Sequence, residues 1–256
     1  MAGREQRAMS FGAIAEDYDR VRPSPPADAV EWLLPGGCEV AVDVAAGTGL
    51  LTRALARRVP QVVAVEPDPR MRAVLSARSP GVRVVEGRGE AIPLPDASAD
   101  AVLISSAWHW MDPDRAVPEI GRVLRDGGRF GVIWTSRDRE VDWVRAIDRF
   151  HSSSADPSEA RARRRRHRDV TLPAGGLFAN VERTTFAFTR PMRIDDVVVM
   201  LGTYSGLITA DPRERSAGLA GARAALEQRF PGLDEIEVPM RSWCWRADRA
   251  AAPRVG

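Results

Sequence analysis

Between residues 40 and 134 the chain repeats one pattern: a short run of apolar, β-branched residues, then a stretch whose apolar positions recur every three or four residues. The runs VAVDV (40–44), VVAV (62–65), VRVVE (82–86), AVLIS (101–105) and RFGVIW (129–134) are apolar almost throughout, as parallel strands covered on both faces must be. Between them, Leu51, Leu55 and Val59 share a helical face away from Arg53, Arg57 and Arg58. Val117, Ile120, Val123 and Leu124 do the same, and Gly127-Gly128 is expected to stop that helix. Strand and helix in this alternation predict an α/β fold: a doubly wound, Rossmann-like, mostly parallel sheet with helices on both faces.

Past residue 138 the pattern weakens. Residues 142–150 read as helix and lead into HSSSADPSEARARRRRHR, which is polar, then arginine-dense, and has no apolar face. Residues 181–189 alternate like a strand, helices are expected at about 193–209 and 212–229, and 236–246 (IEVPMRSWCWR) alternates again with Trp243 and Trp245 on one face. The two late strands would close the sheet edge and bring the total to seven. The predicted organisation is a single domain over 1–256. It has an N-terminal lead at 1–35, a ligand-binding core at 36–138 and a variable connection at 139–180. The C-terminal strands at 181–256 carry inserted helices at about 190–230 as an added helical lid.

Composition removes several functions. All 37 basic residues are arginine, so chemistry that depends on a lysine amine is excluded: phosphate-loop nucleotidases, pyridoxal-phosphate enzymes, Schiff-base aldolases and protein kinases. The 35 acidic residues leave a net charge of +2, which gives no general case for a nucleic-acid or membrane partner. The run Arg161–Arg168 lacks interleaved aromatics and is read as a solvated charge run. Cys38 and Cys244 are too few for a disulfide framework or a cysteine metal site, and no metal is expected. MAGREQRAMSFG has no signal-peptide apolar core and no segment is apolar enough to span a bilayer, so the expected location is the cytoplasm.

The informative segment is VAVDVAAGTGLLTRALA, where a buried strand ends at Asp43 and runs through Gly47 and Gly49 into a helix. The glycines permit a tight turn and close approach of backbone N–H groups to a ligand, at the sheet edge where open α/β folds bind. Glu66 ends the second strand, placed to accept from both hydroxyls of a ribose, so an adenosine fits. A nicotinamide fingerprint needs Gly or Ala at its sixth position, which here is Thr52. Asp43 adds weight against a dinucleotide, since a carboxylate there suits a cationic ligand and repels phosphates.

On these residues the chain resembles the class I S-adenosylmethionine-dependent methyltransferases, small-molecule branch, over nearly its whole length. The family turn, acidic-x-Gly-x-Gly-x-Gly, stands here as Asp43-Val44-Ala45-Ala46-Gly47-Thr48-Gly49, with Ala45 in place of the first glycine, a methyl that is tolerable if φ is negative. The resemblance continues through VVAVEPDPRM (62–71), GRGEAIPLPDASADAV (87–102), AWHWMD (107–112) and VLRDGGRF (123–130). It implies cofactor contacts at Ala45, Gly47, Gly49, Glu66, Pro67, Met71, Gly89, Glu90, Ser105 and Trp108. Arg88 stands where the family commonly has an Asp near the adenine amine, so adenine recognition falls to the Gly89 or Glu90 backbone or to stacking of Arg88. FGAIAEDYDRVRP (11–23) resembles the family's lid helix and implies Tyr18 and Arg22 near the cofactor's amino-acid moiety.

A sulfonium is an activated electrophile, so the protein must mainly align a nucleophile and exclude water. His109, in Trp108-His109-Trp110 after the fourth strand, is the histidine at a strand's C-terminal end, either as general base or in a positioning role. Trp108, Trp110, Trp134 and Trp143 are candidates for an aromatic wall, with Trp134 expected in the core. Expected partners are a small-molecule acceptor and S-adenosylmethionine, with S-adenosylhomocysteine as product, and the protein as monomer or homodimer. Two other readings remain open at this stage: a non-catalytic binder of S-adenosylmethionine or S-adenosylhomocysteine, and an NAD-dependent oxidoreductase.

Overall fold

The computed structural model describes residues 10–150, 162, 165, 168–173, 176–208 and 210–251; most of the 151–170 connection, including most of its arginine run, lies outside them. The chain divides into two compact units. The first comprises Ser24–Thr135, Arg168–Phe186 and Ser242–Gly256, and the second Met1–Pro23, Ser136–His167 and Ala187–Arg241.

The first unit is built on the expected sheet. Its strands are β1 (Val40–Val44), β2 (Gln61–Val65), β3 (Arg83–Val85), β4 (Ala99–Ser105), β5 (Leu124–Arg137), β6 (Phe178–Arg193) and β7 (Glu235–Arg249). The last three are long enough to continue into the second unit. The order is β3-β2-β1-β4-β5-β7-β6, with β1 parallel to both β2 and β4, β2 to β3, and β4 to β5. The chain winds outward in opposite directions on either side of β1, which makes the carboxyl ends of β1 and β4 the switch point of a doubly wound sheet. The two late strands extend the β5 side, as the alternation predicted.

Period-two burial explains the layers. Val42, Val44, Val102, Ile104, Phe130 and Val132 pack one face against α5 (Pro113–Val123) through Ala116, Val117, Ile120 and Val123. Ala41, Ala101, Leu103 and Ile133 pack the opposite face against α2 (Ala27–Leu33) and α3 (Leu50–Ala56). Trp245, with Trp243 beside it, belongs to the first layer and Cys244 between them to the second, the alternation read from the sequence. Fully buried residues such as Leu103 and Ile104 each contribute roughly 1.5–3 kcal/mol of burial.

Several boundaries differ from expectation: β6 is longer than the 181–189 run, and the helix expected at 193–209 is two, Ile194–Gly202 and Ser205–Ile208. α5 ends at Val123, because Leu124 turns extended (φ −70°, ψ 142°), so Gly127-Gly128 does not stop the helix. Instead, Ala99 pairs with Leu124 and Ala101 with Arg129, so residues 125–128 form an irregular excursion at the start of β5. Gly127 supplies the positive φ of 74° that this bulge requires.

The second unit packs α1 (Ala15–Val21), α6 (Asp142–Asp148), α7 (Ile194–Gly202), α8 (Ser205–Ile208) and α9 (Pro212–Arg229) with the ends of the late strands. Val21, Ile147, Val197, Met200, Leu226, Val238 and Met240 form its core. Trp143 stands edge-on to Phe230 at 5.2 Å within it and is a packing residue of this unit.

Candidate functional site

The turn after β1 is fixed by backbone bonds: Ala46 N–H donates to the Val65 carbonyl at 3.1 Å, and Gly49 N–H to the Ala46 carbonyl at 3.0 Å. Gly47 (φ 59°) and Gly49 (φ 89°) take the left-handed region that the turn needs. Ala45 takes it too, at φ 56°, so the negative φ that would make its methyl tolerable is not met: the turn keeps the conformation of a glycine and the alanine methyl bears the strain. A Cβ on Gly49 would meet Leu75 Cδ1 at 2.3 Å, which marks a packing glycine, whereas a Cβ on Gly47 would meet nothing within 4 Å. Gly47 therefore borders open space at the switch point.

Asp43 is fully buried in the centre of the sheet, opposite Ala64 and Leu103. Its Oδ2 accepts from Thr52 Oγ1 at 2.6 Å, while Oδ1 is buried with no hydrogen-bond partner among the described residues. Burial pushes its pKa up to about 7; the Thr52 bond opposes the shift and the Glu66 charge adds to it. The Thr48 hydroxyl is a second buried polar atom without a described partner at this turn. Thr52, which breaks the dinucleotide fingerprint, is thus the residue that holds Asp43 in place.

Glu66, 6% exposed, braces the turn from β2. Oε2 accepts from Gly47 N–H at 2.8 Å and Oε1 from Asp68 N–H at 2.9 Å, leaving a second lone pair on each oxygen. Burial raises its pKa and the two N–H bonds work against that rise. Arg72 ties down the loop by donating to the carbonyls of Glu66 and Pro67 at 2.8 and 2.7 Å. Asp68 caps α4 (Pro69–Arg78) by accepting from Arg70 N–H at 2.8 Å. Thr52 and Arg72 are site-supporting residues that the motif alone does not single out; the available signal was a polar side chain one turn into each helix that follows a strand.

The remaining candidates divide. Pro67 is half-buried and Met71 is buried in α4. Gly89 is backed so closely by Met111 that a Cβ would lie 2.5 Å from its sulfur, and Glu90 Oε1 accepts from Asp112 N–H at 2.8 Å. Arg88 is exposed, in a backbone bridge with Ala91. Ser105 ends β4 and is half-buried. Trp108 spends its ring on the core, 5.4 Å from Phe130, and Trp134 is buried in the same cluster. His109 lies in a one-turn helix, Trp108–Trp110, its ring 4.5 Å from that of Trp110. Tyr18 and Arg22 belong to the second unit, where Arg22 stacks on Tyr18 at 4.9 Å and on Tyr204 at 3.9 Å. Among the described residues no cluster of His, Cys, Asp or Glu is suited to a metal ion, and no helix is long and apolar enough to cross a membrane.

A seven-stranded sheet of this order, with a glycine turn and a buried acid at its switch point, defines a Rossmann-like small-ligand fold. Comparisons with known proteins supply the family. The model of the methyltransferase domain matches residues 42–132. An uncharacterized methyltransferase of Mycobacterium bovis is 38% identical over 96% of this chain and 98% of its own length. A methyltransferase-like protein of Schizosaccharomyces pombe is 26% identical over 95% and 96%. A solved structure from Anaeromyxobacter dehalogenans, described as a candidate type II methyltransferase, superposes with a TM-score of 0.68 at 25% identity, covering 90% of this chain and 97% of that one. The chain belongs to the class I S-adenosylmethionine-dependent methyltransferases and is an enzyme of that class.

Proposed function

We propose that the enzyme methylates an oxygen, nitrogen or carbon atom of a small organic acceptor in a biosynthetic step, and that the turn after β1 holds the cofactor. The observation that carries the assignment is Asp43, a buried carboxylate with one oxygen committed to Thr52 and the other without a partner among the described residues. Such a group is costly unless a cation or donor reaches it. The amino-acid end of S-adenosylmethionine offers an ammonium, and Gly47 leaves open space beside it. The free lone pairs of Glu66 suit two ribose hydroxyls, with Ala45, Gly49, Pro67 and Met71 beside the turn.

The bound cofactor supplies a methyl on a positively charged sulfur, which needs alignment more than activation. We assign His109, on the short helix after β4, as the proton acceptor for substrates that must lose a proton, and Ser105, Gly89, Glu90 and Trp108 as the wall around it. Transfer of labelled methyl into a panel of phenols, carboxylic acids and amines tests this reading. The expected result is incorporation by the wild-type chain and a large loss in Asp43→Asn. Cofactor binding without transfer to any acceptor would contradict it.

A further inference from the structure

The second unit contains a charge cluster for which the cofactor turn has no use. Tyr204, between α7 and α8, lies among three guanidiniums, with Arg22 3.9 Å, Arg137 5.2 Å and Arg139 6.0 Å from its ring centroid. Arg137 is fully buried and pairs with Asp148 at 2.7 Å; Arg139 donates to the other oxygen of the same carboxylate. Arg22 gives its Nε to Thr203 Oγ1 at 2.9 Å and an Nη to the Thr203 carbonyl at 3.0 Å, and forms no ion pair with a carboxylate among the described residues. Burial would push the Tyr204 phenol up, but Arg137, Arg22 and Arg139 outweigh both burial and Asp148 and hold it below its ordinary 10.0.

Arg137 and Arg139 thus share the Asp148 carboxylate, and Arg22 brings a third guanidinium to the same Tyr204 ring. A part-buried guanidinium such as Arg22, with no carboxylate of its own among the described residues, is stabilised by an added counter-charge. A guanidinium presents parallel N–H groups that match the oxygens of a carboxylate or phosphate. Arg22 is half-buried and the Arg139 side chain is 16% exposed, so these two remain within reach of a ligand while Arg137 supports them from behind.

We propose that Arg22 and Arg139, gathered around the Tyr204 ring and backed by Arg137, form a binding site for a small dianion bearing carboxylate or phosphate groups. This assigns Arg22 to that anion in place of the cofactor's amino-acid moiety. The site stands on the second unit alone and does not depend on the methyl-transfer reading.

Tyr18 and Tyr204 are the only tyrosines in the chain, so ultraviolet absorbance can follow Tyr204 ionisation, with Tyr204→Phe identifying its step. The protein is titrated at constant ionic strength in chloride, succinate or inorganic phosphate. Bound dianion should neutralise the guanidiniums and move the Tyr204 step to higher pH by about one unit, while raising the melting temperature. Arg139→Gln should weaken the effect about tenfold and leave S-adenosylhomocysteine affinity unchanged. A larger response to succinate than to phosphate identifies a dicarboxylate ligand, and the reverse a phosphate. The same Tyr204 step in all three salts would overturn the proposal in the wild-type chain, without recourse to a variant. Loss of S-adenosylhomocysteine affinity in Arg139→Gln would overturn it as well, because the charges would then serve the cofactor's own carboxylate.

Discussion

The Thr52 hydroxyl donates to Asp43 Oδ2 at 2.6 Å in a fully buried setting, so α3 fixes the acid near the carboxyl end of β1. Only one oxygen is satisfied this way, and the buried acid titrates near 7. In the unfolded chain it titrates near the ordinary Asp value of about 3.9. Asp43 therefore costs stability when charged and offers charge to a cation.

The pH dependence follows in sign. Between about pH 4 and 7 the folded protein holds a proton on Asp43 that the unfolded chain has lost, so this group's contribution to stability falls as pH rises, by up to about 1.4 kcal/mol per unit. Above 7 both states are ionised and the trend stops. Asp43→Asn keeps an acceptor for Thr52 and removes the charge. Its melting temperature at neutral pH should exceed that of the wild type, and the gap should narrow towards pH 4. Cofactor affinity should move the other way, lower in Asp43→Asn by about tenfold or more. A less stable Asn variant with unchanged affinity would remove Asp43 from the site.

Two glycines one residue apart should fail differently. Gly49→Ala puts a methyl into Leu75 and should lower stability by about 2–3 kcal/mol through strain and overpacking. Gly47→Ala meets no neighbour and should cost only about 1 kcal/mol of backbone strain, yet it should abolish most cofactor binding by filling the space beside the turn. Denaturant melts and calorimetry on the pair separate the two effects. Equal loss of binding per unit of stability in both would contradict the distinction.

Ala45 holds a glycine conformation at φ 56°. Ala45→Gly should relieve it and raise the melting temperature by about 1–3 °C, the relief exceeding the added freedom of the unfolded chain. Ala45→Val should lower it, since β-branched residues tolerate this region least. The reverse order in thermal melts would mean that the turn is not strained there.

His109→Ala should reduce turnover on acceptors that must lose a proton, with S-adenosylmethionine affinity nearly unchanged, and should spare acceptors already deprotonated. Equal turnover on both substrate types, before and after the substitution, would take the imidazole out of proton transfer.

Local pattern carried much of this protein. β1, β2 and α9 lie within a residue of the segments read for them, because β1 and β2 are near-continuous buried apolar runs and α9 is a run of helix formers opened by the Asp211 cap and Pro212. The start of β5 did not follow: Gly127-Gly128 reads as a helix stop until the pairing of Leu124 with Ala99 shows it to be a bulge, a contact between segments distant in sequence. The site divides in the same way. The placement of Asp43, Gly47 and Glu66 about the carboxyl ends of β1 and β2 was legible from the motif spacing. The Thr52 bond and the different surroundings of the two glycines were not, since they depend on where Leu75 and the Thr52 rotamer fall. The Tyr204 cluster joins residues from four separate segments, and no window of sequence contains it.

Calorimetry of S-adenosylmethionine, S-adenosylhomocysteine and NAD with the wild-type chain tests the assignment of the β1 turn most directly. The expected result is single-site binding of both sulfur compounds, weakened about tenfold or more in Glu66→Ala where the ribose acceptor is gone, and no comparable binding of NAD. Tight binding of the dinucleotide with none of the sulfur compounds, or an affinity untouched by Glu66→Ala, would contradict it.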